Sequence, residues 1–73
     1  MKNLRRGQRV WCVWFGAPGV YEATIVEESS DSAWRITNPK NETYSLQDEQ
    51  VFETREDAER FCALVVLRGS YSP

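Results

Sequence analysis

The chain has 73 residues and a mass of 8.5 kDa, so we expect one small domain and exclude mechanisms that need two. Histidine is absent and cysteine occurs twice, which excludes zinc sites of the Cys/His type and nucleophiles activated by histidine. The formal net charge of −2 joins a basic stretch, residues 1–21, to an acidic remainder, residues 22–73.

The first predicted strand covers residues 8–15, which follow a basic N-terminal arm at residues 1–6. This strand is dense in β-branched and aromatic side chains and lacks a helical period. Both of its faces are apolar, so we expect it to be covered on both sides. Trp11, Val13 and Phe15 share one face, and without a cover they would form an exposed apolar patch.

Four more strands are predicted where alternating side chains lie between turn-forming residues. The second strand places Tyr21, Ala23 and Ile25 on its expected core face. The predicted strands cover residues 20–28, 33–37, 43–47 and 50–52. The intervening turns and loops are residues 16–19, 29–32, 38–42 and 48–49.

The pattern changes to a helical period at Thr54, which we expect to cap a helix over residues 54–69. Asp57 stands three residues further on, at the position of the acid in a capping box. Gly69 is the expected C-cap, and residues 70–73 are a tail. The apolar stripe of this helix consists of Ala58, Phe61, Cys62 and Val65.

These elements predict a mainly β fold: a small five-stranded SH3-like barrel over residues 7–53 with one C-terminal α-helix. Short strands joined by tight turns fit a small barrel better than a sandwich, which usually has about seven strands or more. We expect the helix to cover the outer face of the first strand. The chain is thereby predicted to be a single domain, residues 1–73.

The first predicted hairpin resembles that of known recognition domains. Gly7-x-x-Val10-x-Cys12-x-Trp14, followed by Tyr21-x-Ala23-Thr24-Ile25, resembles the first hairpin of Tudor domains. The same segment, as Gly7-x-x-Val10-Trp11-Cys12 with Gly16-x-Pro18, is similar to the opening of PWWP domains. Both families belong to the royal superfamily of SH3-like barrels, so the resemblance implies a Tudor-like barrel.

The resemblance to Tudor domains implies half of an aromatic cage for a methylated lysine or arginine. The matching positions are Trp14 and Tyr21, whose rings would hold the cation by cation–π attraction. The other half would come from residues 37–40, which include a lysine and no aromatic residue. Trp34 and Tyr44 are candidates to contribute from neighbouring positions. Core packing is the competing role for all four aromatic residues.

We expect a non-enzymatic module that binds a peptide or protein partner through a groove lined by these four aromatic residues, without a cofactor or a metal. One alternative is single-stranded nucleic-acid binding by the basic arm and the aromatic surface, against which the pI near 5.0 counts. The basic residues concerned are Lys2, Arg5, Arg6 and Arg9. Another alternative is an assembly or regulatory subunit with a protein interface at the apolar end of the helix, residues 63–67. Leu64 and Leu67 would there either close a homodimer or pack in the core.

Two features of the sequence bear on the cellular compartment. No apolar run approaches the roughly 18 residues that span a bilayer, and no signal-peptide segment is apparent, so we expect a cytoplasmic protein without a membrane partner. Cys12 and Cys62 are expected to be buried free thiols, as isolated cysteines are in reducing compartments. A disulfide between them under oxidising conditions is the alternative.

Overall fold

Five strands and one helix make up the part of the chain that the computed structural model describes, residues 2–14, 16, 19–30 and 32–68. The strands form one antiparallel sheet, which confirms the predicted mainly β class with a C-terminal helix. The elements are β1 (Arg9–Val13), β2 (Val20–Ser30), β3 (Ala33–Thr37), β4 (Thr43–Gln47), a 3-10 turn (Asp48–Gln50), β5 (Val51–Phe52) and α1 (Arg55–Arg68).

The sheet has the strand order β4-β3-β2-β1-β5. Each of the first four strands therefore pairs with its neighbour in sequence, and β5 returns to lie beside β1. Cys12 on β1 stands opposite Tyr21 on β2 and opposite Val51 on β5. β1 is thus an interior strand, while β4 and β5 form the edges of the sheet.

β1 and β5 are shorter than predicted. β1 ends at Val13, so Trp14 follows the strand instead of belonging to it. Phe15, predicted to end this strand, lies outside the described residues. The predicted turn before the fifth strand is one turn of 3-10 helix, which takes in Gln50 and shortens β5 to two residues.

β2 is longer than predicted, because β3 pairs with it as far as Ser30. The register with β3 shifts between Ile25 and Glu27 and again between Glu28 and Ser30. Such irregularities bend a strand and increase its twist. Ser32 then turns the chain with a φ of 64°, in the left-handed region. β3 and β4 follow this turn and contribute Trp34, Ile36 and Leu46 to the core.

The core takes a side chain from every strand. Ala23 and Ile25 are buried on the face predicted for them, whereas Tyr21, at the start of the same strand, is 43% exposed. Leu4 is also part of the core, although the sequence placed it in a separate basic arm. The buried cluster consists of Leu4, Val10, Cys12, Ala23, Ile25, Trp34, Ile36, Leu46 and Val51.

α1 covers the opposite face of β1, as predicted. The helix packs against β1, β2 and β5. Val13 on β1, with Ala58 and Val65 on α1, is buried without belonging to the core cluster. The rings of Phe52 on β5 and Phe61 on α1 lie with centroids 5.3 Å apart. The two apolar faces of β1 are therefore covered by two different parts of the fold.

The start of α1 agrees with the sequence. Thr54 Oγ1 accepts the backbone N–H of Asp57 at 3.2 Å, and the Thr54 carbonyl accepts the N–H of Ala58 at 3.3 Å. These are the bonds of a helix N-cap. The predicted C-cap Gly69 and the tail at residues 70–73 lie outside the described residues. Among the helices that the structure describes, none is long and apolar enough to cross a membrane.

Residues 2–8, called here the N-terminal segment, lie against the sheet. The Gly7 N–H donates to the Ile25 carbonyl at 2.7 Å, and the Ile25 N–H donates to the Gln8 carbonyl at 2.9 Å. These bonds extend the β1–β2 ladder backward along the chain. Gly7 has a φ of 84°, which suits glycine and strains other residues. The segment can therefore turn there and deliver Leu4 to the core.

Candidate functional site: an aromatic groove

An open groove of about 670 Å³ lies where β1 ends and β2 begins. The turn between β3 and β4, residues 38–42, forms its other wall. Buried side chains of the core, such as Ile36, reach its floor. Its walls include Trp14, Tyr21, Glu22, Lys40, Glu42 and Tyr44. We call this surface the aromatic groove.

Trp14 and Tyr44 form an edge-to-face pair inside the groove. Their ring centroids are 5.4 Å apart and their planes meet at 86°. Trp14 follows β1, whereas Tyr44 lies on β4 opposite Ile36, so residues far apart in sequence converge here. The Trp14 side chain is half-buried, and Tyr44 is 37% exposed. Two perpendicular rings open to solvent offer a flat face and an edge to a ligand.

Tyr21 supplies the third aromatic side chain of the groove. It stands at the start of β2, opposite Cys12, where the strand leaves the core. Gly19 gives its ring room, because a Cβ at that position would lie 3.1 Å from the Tyr21 hydroxyl oxygen. The structure thus brings together three of the four predicted aromatic site residues, namely Trp14, Tyr21 and Tyr44.

The wall formed by the β3–β4 turn is organised by Asn38. Its Oδ1 accepts the backbone N–H groups of Lys40 at 3.0 Å and Glu42 at 2.9 Å. Its Nδ2 donates to Glu42 Oε1 at 2.9 Å. Asn41 adopts a φ of 67°, which asparagine tolerates better than most residues. The turn therefore fixes Glu42 beside the aromatic pair.

Glu42 sets the electrostatics of this wall. The Tyr44 hydroxyl donates to Glu42 Oε1 at 3.3 Å. The negative charge of Glu42, together with desolvation and this hydrogen bond, raises the pKa of Tyr44. Glu22 in the same groove pairs with Arg9 at 2.8 Å. Within the described part of the chain, neither Glu42 nor Lys40 forms an ion pair, so both charges face the groove without a counter-ion.

Trp34 does not belong to the groove, which corrects its assignment as a candidate groove residue. It is 5% exposed and lies in the buried cluster. Its indole Nε1 donates to Asp48 Oδ1 at 2.7 Å. Trp34 lies on β3 opposite Leu46 of β4, two residue pairs along the ladder from the Ile36–Tyr44 pair. The buried ring and its satisfied N–H give Trp34 a role in packing.

Three of the four basic residues named for the nucleic-acid alternative have polar partners within the protein. Lys2 Nζ lies 3.5 Å from Asp48 Oδ2 and 5.0 Å from the centre of the Phe52 ring. Arg9 Nε is engaged with Glu22 at 2.8 Å. Arg6 Nε donates to the Val26 carbonyl at 3.2 Å. The remaining candidate, Arg5, is exposed. Lys2, Arg6 and Arg9 therefore contact three different parts of the protein.

The two cysteines occupy different environments. Both are free thiols, Cys12 buried beneath the groove and Cys62 half-buried on α1, so the prediction of full burial is correct for Cys12 only. Burial raises the pKa of Cys12 to about 11, which keeps this thiol protonated and unreactive near neutral pH. No group of three or more metal-binding side chains occurs among the residues described.

The sequence pattern does not identify Glu42 and Asn38 as site residues. The spacing of Asn38, Pro39 and Asn41 predicts a turn, but only its geometry shows that Glu42 bonds to Tyr44. Comparison with protein-family models, with curated proteins and with solved structures gives no match for this chain. The groove is therefore interpreted from its own residues.

Proposed function

We propose that this chain is a non-enzymatic binding module that recognises a peptide or protein partner through the aromatic groove. The observation that carries the proposal is the solvent-open Trp14–Tyr44 pair with the Glu42 carboxylate at its edge. Aromatic faces attract cations, and a neighbouring carboxylate without a counter-ion adds to that attraction. A lysine or arginine side chain, methylated or not, is the ligand group that suits this arrangement.

The proposed architecture is a Tudor-like SH3-like barrel in a cytoplasmic protein. β1 pairs with both β2 and β5, and the register shifts of β2 curve the sheet. Gln50 adds a link between β4, at one edge of the sheet, and β1, the strand next to the other edge. Its Oε1 accepts the Gln47 N–H of β4 at 3.3 Å, and its Nε2 donates to the Val13 carbonyl of β1 at 3.1 Å. These features favour a barrel whose seam is completed by side chains.

The alternative of an assembly or regulatory subunit has one supporting observation. Leu64, Val66 and Leu67 of α1 are 49%, 47% and 82% exposed. An apolar helix end of this kind suits a protein interface. The aromatic groove favours the binding module over the assembly subunit, because it combines converging rings, a turn fixed by hydrogen bonds and a carboxylate without a counter-ion.

An NMR titration tests the binding proposal with an internal control. The three tryptophans give three indole N–H signals, which substitution by phenylalanine assigns one by one. The probe is a short capped alanine peptide with a central trimethyllysine, compared with its unmethylated and glutamate counterparts. We expect the Trp14 indole to shift with the cationic peptides, while that of Trp34, bonded to Asp48 in the core, stays in place.

Substitutions at Tyr44 sharpen this test. Tyr44→Ala removes one ring of the pair and is expected to weaken peptide binding at least about fivefold. Tyr44→Phe keeps the ring and is expected to bind within about threefold of the wild type. Leu67→Ala, at an exposed position outside the groove, is the matched control and is expected to change nothing. Equal binding by the wild type and Tyr44→Ala would refute the groove as the binding site.

A further inference from the structure

We infer that the outer edge of β4 binds the backbone of an extended peptide as an added strand, whose central lysine or arginine side chain enters the aromatic groove. This inference rests on the proposed function and adds the mode of binding. β4 is an edge strand, paired on one side with β3. Tyr44, at its second position, is also a groove residue, so the edge and the groove are contiguous.

The direction of the β4 backbone groups follows from the ladder with β3. In an antiparallel pair, directly opposed residues alternate between hydrogen-bonded and non-hydrogen-bonded pairs. The Asn38 N–H donates to the Glu42 carbonyl at one end of this ladder, and the Asp48 N–H donates to the Ser32 carbonyl at the other. The register between them is continuous.

The alternation from either end of the ladder assigns the same β4 residues to hydrogen-bonded pairs. Tyr44 and Leu46 belong to hydrogen-bonded pairs and direct their backbone groups toward β3. Thr43, Ser45 and Gln47 direct their N–H and carbonyl groups away from the sheet. No backbone partner for Thr43 or Ser45 on that side occurs in the described part of the chain. The edge thus offers two donors and two acceptors at the spacing of a β-ladder.

This edge lacks the features that normally prevent strand addition. Edge strands are usually protected by charged side chains, proline, a bulge or a cover. The β4 sequence Thr43–Gln47 has no charge and no proline, and its register with β3 is regular. Among the described residues, the contact that closes this edge lies at its C-terminal end, where Gln50 Oε1 accepts the Gln47 N–H. The unprotected stretch is the half that adjoins the groove.

The register of an added strand places its side chains. A residue opposite Tyr44 on the added strand has its Cβ about 5 Å from that of Tyr44 and points to the same face. That face leads to the Trp14–Tyr44 pair and to Glu42. A lysine or arginine there would meet aromatic rings and a carboxylate that lacks a counter-ion. Lys40 on the same wall opposes the cation, which makes its removal informative.

Amide hydrogen exchange in the wild-type protein tests the edge directly. The probe is a capped peptide that alternates threonine and valine around a central lysine, and the control peptide carries glutamate instead. Bound lysine peptide is expected to slow exchange of the Thr43 and Ser45 amides. The Tyr44 and Leu46 amides, which already bond to β3, are the internal reference and should change little.

A proline substitution separates the backbone from the side chain. Ser45→Pro removes an outward N–H without removing a bond to β3, a position where edge strands accept proline. This substitution should weaken binding of the lysine peptide about tenfold, which corresponds to the loss of one hydrogen bond of about 1.4 kcal/mol. Ser45→Ala, which also loses the hydroxyl contact with Ser29, is the matched control and should bind within about twofold.

Two charge variants test where the central side chain lies. Glu42→Gln should weaken binding of the lysine peptide about threefold without weakening that of the glutamate peptide, because it removes an attraction for the cation and a repulsion of the anion. Lys40→Ala should strengthen binding of the lysine peptide about twofold. A shift of the Trp14 indole without protection of Ser45 would overturn the edge and keep the proposed function. Protection of Ser45 with an unmoved Trp14 indole would overturn the groove as the seat of the cation.

Binding by Ser45→Pro and amide exchange in the free protein also test whether a peptide strand is added to β4. Equal binding of the wild type and Ser45→Pro would overturn the added strand, even if the groove binds the peptide. If Ser45→Pro is not folded, protection of the Thr43 and Ser45 amides in the wild-type protein decides by itself whether the strand is added. Slow exchange at Thr43 and Ser45 in the free protein that becomes faster on dilution would mean that a second copy pairs with this edge, which overturns the peptide as occupant. No response to either peptide would overturn both proposals.

Discussion

Asp48 joins parts of the chain that are distant in sequence. Its Oδ1 accepts the Trp34 indole N–H at 2.7 Å and the Lys2 backbone N–H at 3.0 Å. Lys2 Nζ lies 3.5 Å from Oδ2 and donates to the Asp48 carbonyl at 2.6 Å. Burial by itself raises the pKa of Asp48, but the bonds from Trp34 and Lys2 and the charge of Lys2 outweigh burial and lower it.

The lowered pKa makes the contribution of Asp48 to stability depend on pH. A carboxyl group with a lower pKa in the folded state than in the unfolded state stabilises the fold above the unfolded value of about 4. This contribution is lost as the pH falls through the folded-state pKa. Asp48→Asn cannot ionise, so its deficit relative to the wild type should be large near neutral pH and small in acid.

We therefore expect Asp48→Asn to lower the free energy of unfolding by about 1 to 2 kcal/mol near neutral pH. The difference from the wild type should shrink as the pH falls below the unfolded-state value of about 4, as measured by urea denaturation at neutral and at acidic pH. Glu49→Gln, at an exposed neighbouring acid, is the control and should change the free energy by less than about 0.5 kcal/mol. A deficit for Asp48→Asn that is the same at both pH values would contradict this account.

Trp34 is buried and Tyr44 is exposed, a difference that the sequence pattern does not predict. Both side chains point to the same face, which alternation predicts. Trp34 stands opposite Leu46 and Tyr44 opposite Ile36, so the two rings lie two pairs apart along the β3–β4 ladder. Alternation gives the face of each side chain but not its burial: Trp34 lies in the core cluster, whereas Tyr44 is 37% exposed. The sequence therefore identified both rings as candidates, and the sheet geometry separated the core ring from the groove ring.

At the scale of elements, the start of α1 depends on one side chain. Thr54 Oγ1 satisfies the N–H of Asp57, one of the helix donors that has no partner within the helix. Thr54→Ala should lower the free energy of unfolding by about 1 kcal/mol, while Thr54→Ser retains the hydroxyl and should recover most of it. Thermal denaturation of the three proteins measures this. Equal stabilities would show that Thr54 does not cap the helix in solution.

The strands and the helix could be predicted because their patterns are local. Period-two alternation, turn residues and the change of period at Thr54 require only neighbours in sequence. The position of the N-terminal segment could not be predicted in this way. Its contacts join Lys2 to Asp48 and bring Leu4 into a cluster with Leu46 and Val51, across most of the chain. The sequence also predicts a β1 that ends too late, at residue 15 and not at Val13, because the apolar run continues beyond the strand.

At the scale of the whole molecule, the distribution of charge argues against nucleic-acid binding. The net charge is −2, and Lys2 and Arg9 are paired with acids. Non-specific binding of nucleic acid depends on cations that release counter-ions from phosphates. We expect a fluorescently labelled oligothymidine to bind with a dissociation constant weaker than about 10⁻⁴ M at physiological salt. Tighter binding that weakens with salt and is lost on substituting Arg5 and Arg6 by alanine would contradict this expectation.

The contact between Lys2 and Asp48 also bears on the order of folding. The two residues are 46 positions apart, so at about 5 to 20 residues per second a ribosome adds Asp48 about 2 to 9 s after Lys2. The hairpins form in microseconds once their residues are available, whereas Leu4 and Lys2 have no complete binding surface until β4 and β5 exist. We expect the N-terminal segment to close last. A contact that forms after the folding transition state slows unfolding and has little effect on the rate of folding.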